Sequence, residues 1–173
     1  MKRGGGAFIP MELVVESDTI EHYVQHLAAL VGTPDEHTFF VTQSIGGQLA
    51  LRYLASLPAG SSVGGVFSIA GWFSLNPAVF GGSLPEALVQ WCDTATLDVE
   101  RVNAVCRKFT LLIGDDDPYC DVPEQVSLWQ TKVQAATIVR PAMGHYLNPN
   151  KESTEGWRLP EEDLQAITQF LGV

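Results

Sequence analysis

Hydrophobic residues along the chain recur at two alternating spacings. From Ile20 to Val31 they recur every three or four positions, which predicts a helix, and Gly32 follows where a helix commonly ends. The compact apolar run at residues 38–42 predicts a short buried strand, and residues 49–57 return to the helical spacing. The first three predicted elements are therefore a helix, a strand and a second helix.

This alternation continues to the C-terminus. Residues 71–84 are rich in Gly, Pro, Ser and aromatic side chains and predict a loop, as do the polar residues 140–159. The further strand-like runs are residues 63–70, 109–113 and 136–139, and the further helical patterns are residues 85–92, 98–107, 123–134 and 160–171. Strands and helices thus follow one another along most of the sequence.

Alternating strands and helices are typical of a parallel sheet with helices on both faces. We therefore predict a single domain over residues 1–173, folded as a three-layer α/β/α sandwich with a mostly parallel sheet. In such sheets the functional groups gather at the carboxyl ends of the strands. The residues that follow each strand are therefore the first candidates for a functional site.

Three of the predicted strands end beside side chains that together suit nucleophilic catalysis. Ser44 follows the first strand and opens a helix, aspartates at 115–117 follow the third, and His145 follows the fourth. This order of serine, acid and histidine along the chain is that of the α/β-hydrolases. The pattern predicts a Ser44, Asp117 and His145 triad.

Each residue type has a physical reason to be there. Serine is a weak nucleophile until a base such as His145 removes its proton, and a buried carboxylate such as Asp117 holds the imidazole in the required tautomer. Ile45 begins the helix behind Ser44, so its backbone N–H is the candidate oxyanion donor. Taken singly, each side chain has a plainer interpretation: a helix N-cap serine, a solvated loop histidine, and a solvated acidic turn or cation site.

Composition narrows the classes of function. Hydrophobic residues make up 46% and charged residues 17%, as in ordinary globular proteins, and the net charge of −10 disfavours nucleic acid and anionic membrane surfaces as partners. The sequence shows no signal-peptide pattern and no membrane-spanning run. Cys92, Cys106 and Cys120 lack the close spacing of zinc or redox sites, which favours reduced thiols in a cytoplasmic protein without a metal or cofactor.

Several stretches together resemble a known family. From about Thr19 to its C-terminus the chain is similar to the small serine hydrolases typified by the retinoblastoma-binding serine hydrolases and the bacterial YdeN-type proteins. The matching stretches are Gln43-Ser44-Ile45-Gly46, residues 51–54, residues 65–73, Asp116-Asp117-Pro118-Tyr119, Gly144-His145-Tyr146 and residues 156–160. The resemblance implies an α/β-hydrolase fold, hydrolysis of small esters or amides without a cofactor, and Asp117 rather than Asp116 as the acid.

Two departures from the family pattern shape further expectations. Thr42 and Gln43 stand where the family has a small residue and a histidine, and we expect the β-branched Thr42 to strain the turn. The region before Ser44 is short, so we expect a hydrolase that lacks the first strand and the loop supplying the second oxyanion donor, unless Gly4 to Gly6 replaces that loop. Weak activity, an exposed sheet edge and self-association or a protein partner would follow.

Two other classes of function stand beside an active hydrolase. A hydrolase fold with an impaired catalytic site would act as a binding module rather than as an enzyme. A dehydrogenase-like nucleotide binder is the least favoured class, because no G-x-G-x-x-G motif follows a strand.

Overall fold

The computed structural model of the protein describes residues 19–147 and 159–173. Strands and helices alternate along these residues as the hydrophobic pattern predicts. The strands are β1 (Phe39–Gln43), β2 (Gly65–Ile69), β3 (Phe109–Gly114) and β4 (Ala136–Arg140). The helices are α1 (Ile20–Val31), α2 (Ile45–Ser56), α3 (Glu86–Cys92), α4 (Val99–Val105), α5 (Val122–Val133) and α6 (Glu161–Leu171).

The four strands form one sheet in the order β1-β2-β3-β4, and every neighbouring pair is parallel. Every residue of β2 and β3 is buried, which is why these strands appear in the sequence as continuous apolar runs. Because the strands are parallel, the carboxyl ends of β1, β3 and β4 all lie at the same end of the sheet. The predicted parallel α/β architecture is confirmed.

Helices cover the two faces of the sheet unequally. Val66 and Leu111 point to one face and belong to the larger core cluster, which α1, α2, α4 and α5 help to fill. Their neighbours Phe67 and Leu112 point to the opposite face, where Phe170 of α6 packs against them. Side chains that alternate along a strand therefore fill two separate cores, which gives the predicted three layers.

Strand β1 lies at an edge of the sheet within the described residues, since its only partner there is β2. Val41, near the middle of β1, remains 47% exposed. The expectation that a first strand is missing concerns residues 1–18, which lie outside the described part of the chain. Among the described helices, none is long and apolar enough to cross a membrane.

The predicted boundaries agree with the observed ones to within four residues, and those of α1 agree at both ends. The predicted loop at 71–84 contains a short 3₁₀ turn, Pro77–Phe80, which Asn76 caps by accepting a hydrogen bond from the N–H of Ala78. A second 3₁₀ turn, Thr94–Thr96, was not predicted. Such turns are fixed by local capping side chains rather than by hydrophobic spacing, so a period-based analysis misses them.

Gly114 ends β3 where the strand contacts the loop that follows β4. A Cβ atom on Gly114 would overlap the carbonyl oxygen of Gly144 and lie 2.9 Å from its nitrogen. Both of those atoms are backbone, so neither can turn away as a side chain would. The absence of a side chain at Gly114 therefore sets how closely the loop before His145 can approach the sheet.

We expect Gly114→Ala to lower the free energy of unfolding by about 1–3 kcal/mol, because the added methyl group displaces backbone. Urea unfolding measures this as a lower midpoint at an unchanged slope. Gly46→Ala is the matched control, since its new Cβ would meet only the Cβ of Thr42, at 3.4 Å, and alanine favours a helix. Equal midpoints for the two variants would contradict the prediction.

Candidate active site

Ser44 occupies a strained turn between β1 and α2. Its backbone has φ 54° and ψ −124°, a conformation that residues other than glycine rarely adopt. Its N–H donates to the carbonyl of Ile69 at the end of β2, at 2.8 Å, and this bond ties the turn to the sheet. The side chain of Ser44 makes no capping hydrogen bond to α2, so Ser44 is not an ordinary N-cap serine.

The surroundings of Ser68 show how closely α2 packs against the sheet. A Cβ on Gly47 would lie 2.6 Å from the buried Ser68 Oγ, so α2 approaches β2 too closely for a larger residue there. Thr42 Oγ1 donates to the same Ser68 Oγ at 3.2 Å, and the Thr42 Cβ faces the space left by Gly46. Thr42 therefore has a hydrogen-bond partner and room for its β-branched side chain, and the residue with the unusual backbone conformation is Ser44.

The structure brings the three predicted side chains together. Ser44 Oγ lies 2.8 Å from His145 Nε2, and His145 Nδ1 lies 2.7 Å from Asp117 Oδ2. Asp117 and His145 are 5% and 8% exposed, so their contact is shielded from water. The three groups form a continuous hydrogen-bonded path from a half-buried hydroxyl to a buried carboxylate.

The second oxygen of Asp117 is also engaged. Asp117 Oδ1 accepts a hydrogen bond from the N–H of Tyr119 at 2.9 Å. The ring of Tyr119 in turn packs against the imidazole of His145, with 4.7 Å between ring centroids. Asp117 and Tyr119 therefore hold the imidazole both along its edge and across its face.

The two neighbouring aspartates hold the backbone of the histidine loop. Asp115 Oδ1 accepts from the N–H of Ala142 at 2.9 Å, and Asp116 Oδ1 accepts from the N–H of Gly144 at 2.6 Å. Asp115 and Asp116 thus remain in an exposed turn, as one interpretation of the sequence had it, but they also bind the backbone of the histidine loop. Within residues 19–147 and 159–173, no group of three potential metal ligands is found.

Sequence reasoning did not find the positioning roles of Asp115 and Asp116. A run of three acidic residues after a strand is a visible signal, but it does not say which carboxylate reaches which donor. Gly144, with φ 52°, and Ala142, with φ 54°, turn their N–H groups towards the carboxylates. Those backbone angles are decided by the packed loop.

Further contacts fix the histidine loop on its other sides. Gln43 Nε2 donates to the carbonyl of His145 at 3.2 Å. Gln43, the residue before Ser44, therefore fixes the backbone of the histidine whose ring contacts Ser44. Tyr146 O–H donates to the fully buried Asp163 of α6 at 3.2 Å. Asp163 also accepts from Arg140 Nε at 2.7 Å, and this hydrogen bond raises the pKa of Arg140.

A cavity of about 250 Å³ opens beside Ser44. Among residues 19–147 and 159–173, no lysine, arginine, aspartate or glutamate lines it. The lining residues are Gln43, Ser44, Ile45, Trp72, Leu75, Phe80, Leu88, Tyr119, His145 and Leu147. Trp72 and Phe80 are the tryptophan and phenylalanine among these lining residues, whereas Phe73 and Trp91 are buried in the core.

Trp72 makes a contact that sequence reasoning did not anticipate. Its indole Nε1 donates to Ser44 Oγ at 3.3 Å. The Trp72 side chain is otherwise buried, with 2% of the residue exposed. An aromatic residue after a strand gives no sign of this bond, because packing alone accounts for most buried tryptophans.

Ile45 is the first residue of α2, so its N–H has no carbonyl one turn earlier in the helix to bond to. It lies directly beside Ser44, as expected for an oxyanion donor, and the positive end of the helix dipole acts in the same place. Gly4 to Gly6, which we considered as a source of the second donor, lie outside the described residues.

Cys120 is the nearest thiol to the acidic loop, and the structure places it as a free, buried cysteine. Burial raises the pKa of the Cys120 thiol to about 12, and the carboxylates of Asp117, Asp121 and Glu124 act in the same direction. A thiol with so high a pKa stays protonated at neutral pH and is a poor nucleophile. Cys120 therefore does not compete with Ser44.

No protein-family model and no curated protein matches the chain. Solved structures do match, and among them is the ydeN gene product from B. subtilis, at 19% identity and TM-score 0.72 over 90% of this chain and 77% of that one. A carboxylesterase structure from the Thaumarchaeon Nitrososphaera gargenis matches at 16% identity and TM-score 0.60, over 90% and 72%. The esterase RhEst1 from Rhodococcus sp. ECU1013 matches at 15% identity and TM-score 0.58, over 90% and 73%.

These similarities establish the fold, which is that of the small α/β-hydrolases. The predicted resemblance to YdeN-type proteins is confirmed at the level of structure. Identities below one in five residues carry no information about substrate or mechanism, which have to be argued from the site itself.

We expect iodoacetamide at pH 8 to leave Cys120 unmodified in the folded protein. Relative to a thiol of ordinary pKa, 9.0, a pKa of about 12 lowers the thiolate fraction by about 10³. Peptide mass spectrometry after timed labelling measures the rate, and the protein unfolded in guanidinium provides the control. Modification of Cys120 at the same rate in both states would contradict the assignment.

Proposed function

We propose that the protein is a serine hydrolase that cleaves small ester or amide substrates through an acyl-enzyme intermediate, without a cofactor. In this proposal Ser44 is the nucleophile, His145 the general base and acid, and Asp117 the residue that orients His145. The observation that carries the proposal is the hydrogen-bonded path from Ser44 Oγ through His145 to Asp117, at 2.8 Å and 2.7 Å. The matching esterase structures add support at the level of the fold.

Acylation begins when Ser44 Oγ attacks the carbonyl carbon of the substrate. The proton of Ser44 passes to His145 Nε2 as the new bond forms, and the carbonyl electron pair moves onto oxygen. Asp117 accepts the proton on Nδ1 in a hydrogen bond and stabilises the positive imidazolium. Collapse of the intermediate expels the alcohol or amine, which takes its proton from His145, and leaves an acyl ester on Ser44.

Deacylation repeats these steps with water as the nucleophile. His145 removes a proton from the water as it attacks the acyl carbon. When the tetrahedral intermediate collapses, Ser44 Oγ leaves with the bonding electron pair and recovers its proton from His145. The N–H of Ile45, at the positive end of α2, is the proposed donor to the oxyanion in both halves of the reaction.

The cavity beside Ser44 limits the class of substrate. Its volume of about 250 Å³ suits a small acyl group, and its walls include Leu75, Leu88 and Leu147. A charged acyl group would lose hydration there without meeting an opposite charge among the lining residues that the structure describes, none of which is a lysine, arginine, aspartate or glutamate. We therefore propose uncharged, apolar acyl groups as the substrates.

Some earlier expectations remain predictions. A cytoplasmic location rests on cysteine usage alone, and self-association or a protein partner rests on the exposed edge of β1. The expected weakness of the activity depends on the second oxyanion donor, for which Gly4 to Gly6 are the candidate from the sequence.

We expect wild-type protein to be labelled covalently by a fluorophosphonate probe, and Ser44→Ala to lose both labelling and hydrolysis of p-nitrophenyl acetate. Only a serine activated by a base reacts with the probe at a useful rate. Ser68→Ala is the matched control, since Ser68 is fully buried beneath the turn and its hydroxyl contacts Thr42 rather than His145. A correctly folded wild-type protein that resists the probe would instead indicate a binding module.

We expect Asp117→Asn to lower kcat by about 10⁴, because an asparagine amide favours the wrong imidazole tautomer. Asp116→Asn is the matched control in the same loop. Its side-chain oxygen can still accept the Gly144 N–H, so we expect a loss below about tenfold. Steady-state hydrolysis of a short-chain ester measures both, and equal losses would mean that the acid has been assigned to the wrong aspartate.

A further inference from the structure

Among the described residues, Ser44 Oγ has two side-chain hydrogen-bond partners. His145 Nε2 lies 2.8 Å away, and the indole Nε1 of Trp72 lies 3.3 Å away on the wall of the cavity. We propose that Trp72 is a further catalytic residue, whose N–H directs the Ser44 proton to His145 and stabilises Ser44 Oγ when that oxygen carries negative charge. This inference rests on the proposed hydrolase function and adds a residue to it.

The direction of the hydrogen bonds follows from the groups themselves. An indole N–H can only donate, so Ser44 Oγ has to accept from Trp72. The carboxylate of Asp117 can only accept, which leaves His145 Nε2 without a proton and directs the single proton of the Ser44 hydroxyl to it. His145 consequently carries its own proton on Nδ1, where it donates to Asp117, as a neutral resting base requires.

The three hydrogen bonds therefore run in the same sense, from Trp72 through Ser44 and His145 to Asp117, which accepts the last one. Hydrogen bonds arranged in one direction polarise one another in a buried site. Without the indole donor, the Ser44 hydroxyl could rotate and lose the orientation needed for proton transfer. Trp72 thus favours the productive rotamer of the Ser44 hydroxyl, while Asp117 fixes the tautomer of His145.

The carbonyl of Trp72 is held by a buried polar network. Gln48 of α2, which is fully buried, donates to this carbonyl at 2.5 Å. Arg52, one turn later in α2, donates to Gln48 and to three carbonyls around the end of α3, those of Gln90, Trp91 and Asp93, each at 3.2 Å. Burial lowers the pKa of Arg52. The network therefore buries a guanidinium group, which helps through Gln48 to hold the segment that carries Trp72.

The residues on both sides of Trp72 are fixed as well. The Gly71 carbonyl accepts from Trp129 Nε1 at 3.2 Å, and the N–H of Phe73 donates to the buried Gln125 at 2.6 Å. A Cβ on Gly71 would overlap Ser68 Oγ and the ring of Trp129, so this backbone cannot move towards the sheet. The indole is therefore presented to Ser44 from a rigid segment.

The contact gains importance as charge develops on Ser44 Oγ. During acylation the oxygen transfers its proton to His145, and during deacylation the bond from Oγ to the acyl carbon breaks with the electron pair on Oγ. A hydrogen bond to a charged oxygen is stronger than one to a neutral hydroxyl. An interaction that strengthens towards the transition state raises kcat rather than substrate affinity.

A plainer hypothesis is that Trp72 only forms the wall of the cavity. In that case its removal would change the fit of the acyl group, and hence KM and the preference for acyl size. It would leave the intrinsic reactivity of Ser44 towards a small probe unchanged. The two hypotheses therefore differ in kcat and in probe reactivity.

Two replacements of Trp72 separate these hypotheses. Trp72→Phe removes the N–H together with part of the ring, and incorporation of benzothienylalanine at position 72 removes the N–H while keeping the bicyclic shape. Tyr53→Phe is the control, because Tyr53 is equally buried, at 1% exposed against 2%, lies outside the cavity and takes no part in the network that holds Trp72. Hydrolysis of p-nitrophenyl acetate gives kcat and KM, and timed fluorophosphonate labelling gives the reactivity of Ser44.

We expect both replacements to lower kcat and the labelling rate by about ten- to a hundredfold, with KM within about twofold of wild type. The control should match wild type. Benzothienylalanine protein with wild-type kcat and labelling rate would overturn the role of Trp72 while leaving the hydrolase proposal intact. Wild-type protein without labelling or turnover would overturn both.

A measurement independent of turnover tests the hydrogen bond itself. The indole N–H resonance of Trp72, assigned by its loss in Trp72→Phe, should move upfield in Ser44→Ala, where its acceptor is gone. The indole resonance of Trp91 should stay in place. An unmoved Trp72 resonance would overturn the inference.

Discussion

The backbone conformation of Ser44 is the constraint on which the site depends. A positive φ at a non-glycine residue is unfavourable by about 1–3 kcal/mol and persists only where the surroundings enforce it. Here the Ser44 N–H is bound to the carbonyl of Ile69, and α2 lies so close to β2 that only glycine fits at position 47. The turn prevents the serine from capping its helix and directs the hydroxyl towards the ends of the neighbouring strands.

The histidine loop meets this hydroxyl because it is fixed independently of it. Asp115 and Asp116 bind its backbone, and Asp117 binds its imidazole, so three consecutive residues after β3 align a segment that follows β4. Tyr146 and the buried Asp163 hold the same loop from the side of α6. Asp116 and Asp117 are adjacent in the sequence, but Asp116 fixes the backbone of the loop, whereas Asp117 fixes the orientation of the imidazole.

Much of the fold could be predicted because it depends on local periodicity. The helix at Ile20–Val31 and the strands β2 and β3 follow from the spacing and continuity of apolar residues, and their order implies a parallel sheet. The meeting of Ser44, Asp117 and His145 also follows, since parallel strands end at one edge. The 3₁₀ turns and the support from Asp115 could not be predicted, because they depend on caps and loop angles.

Hydrophobic periodicity and chain order are enough to predict the sheet, the helices that cover it and the three strand ends at which polar side chains meet. Both are local properties, and burial of apolar surface converts them into a fold. The hydrogen bond from Trp72 to Ser44, and the support of the Trp72 carbonyl by Gln48 and Arg52, become visible only in the folded protein. A hydrogen bond requires a distance near 3 Å and a suitable angle between residues far apart in the chain, and only the packed core fixes these.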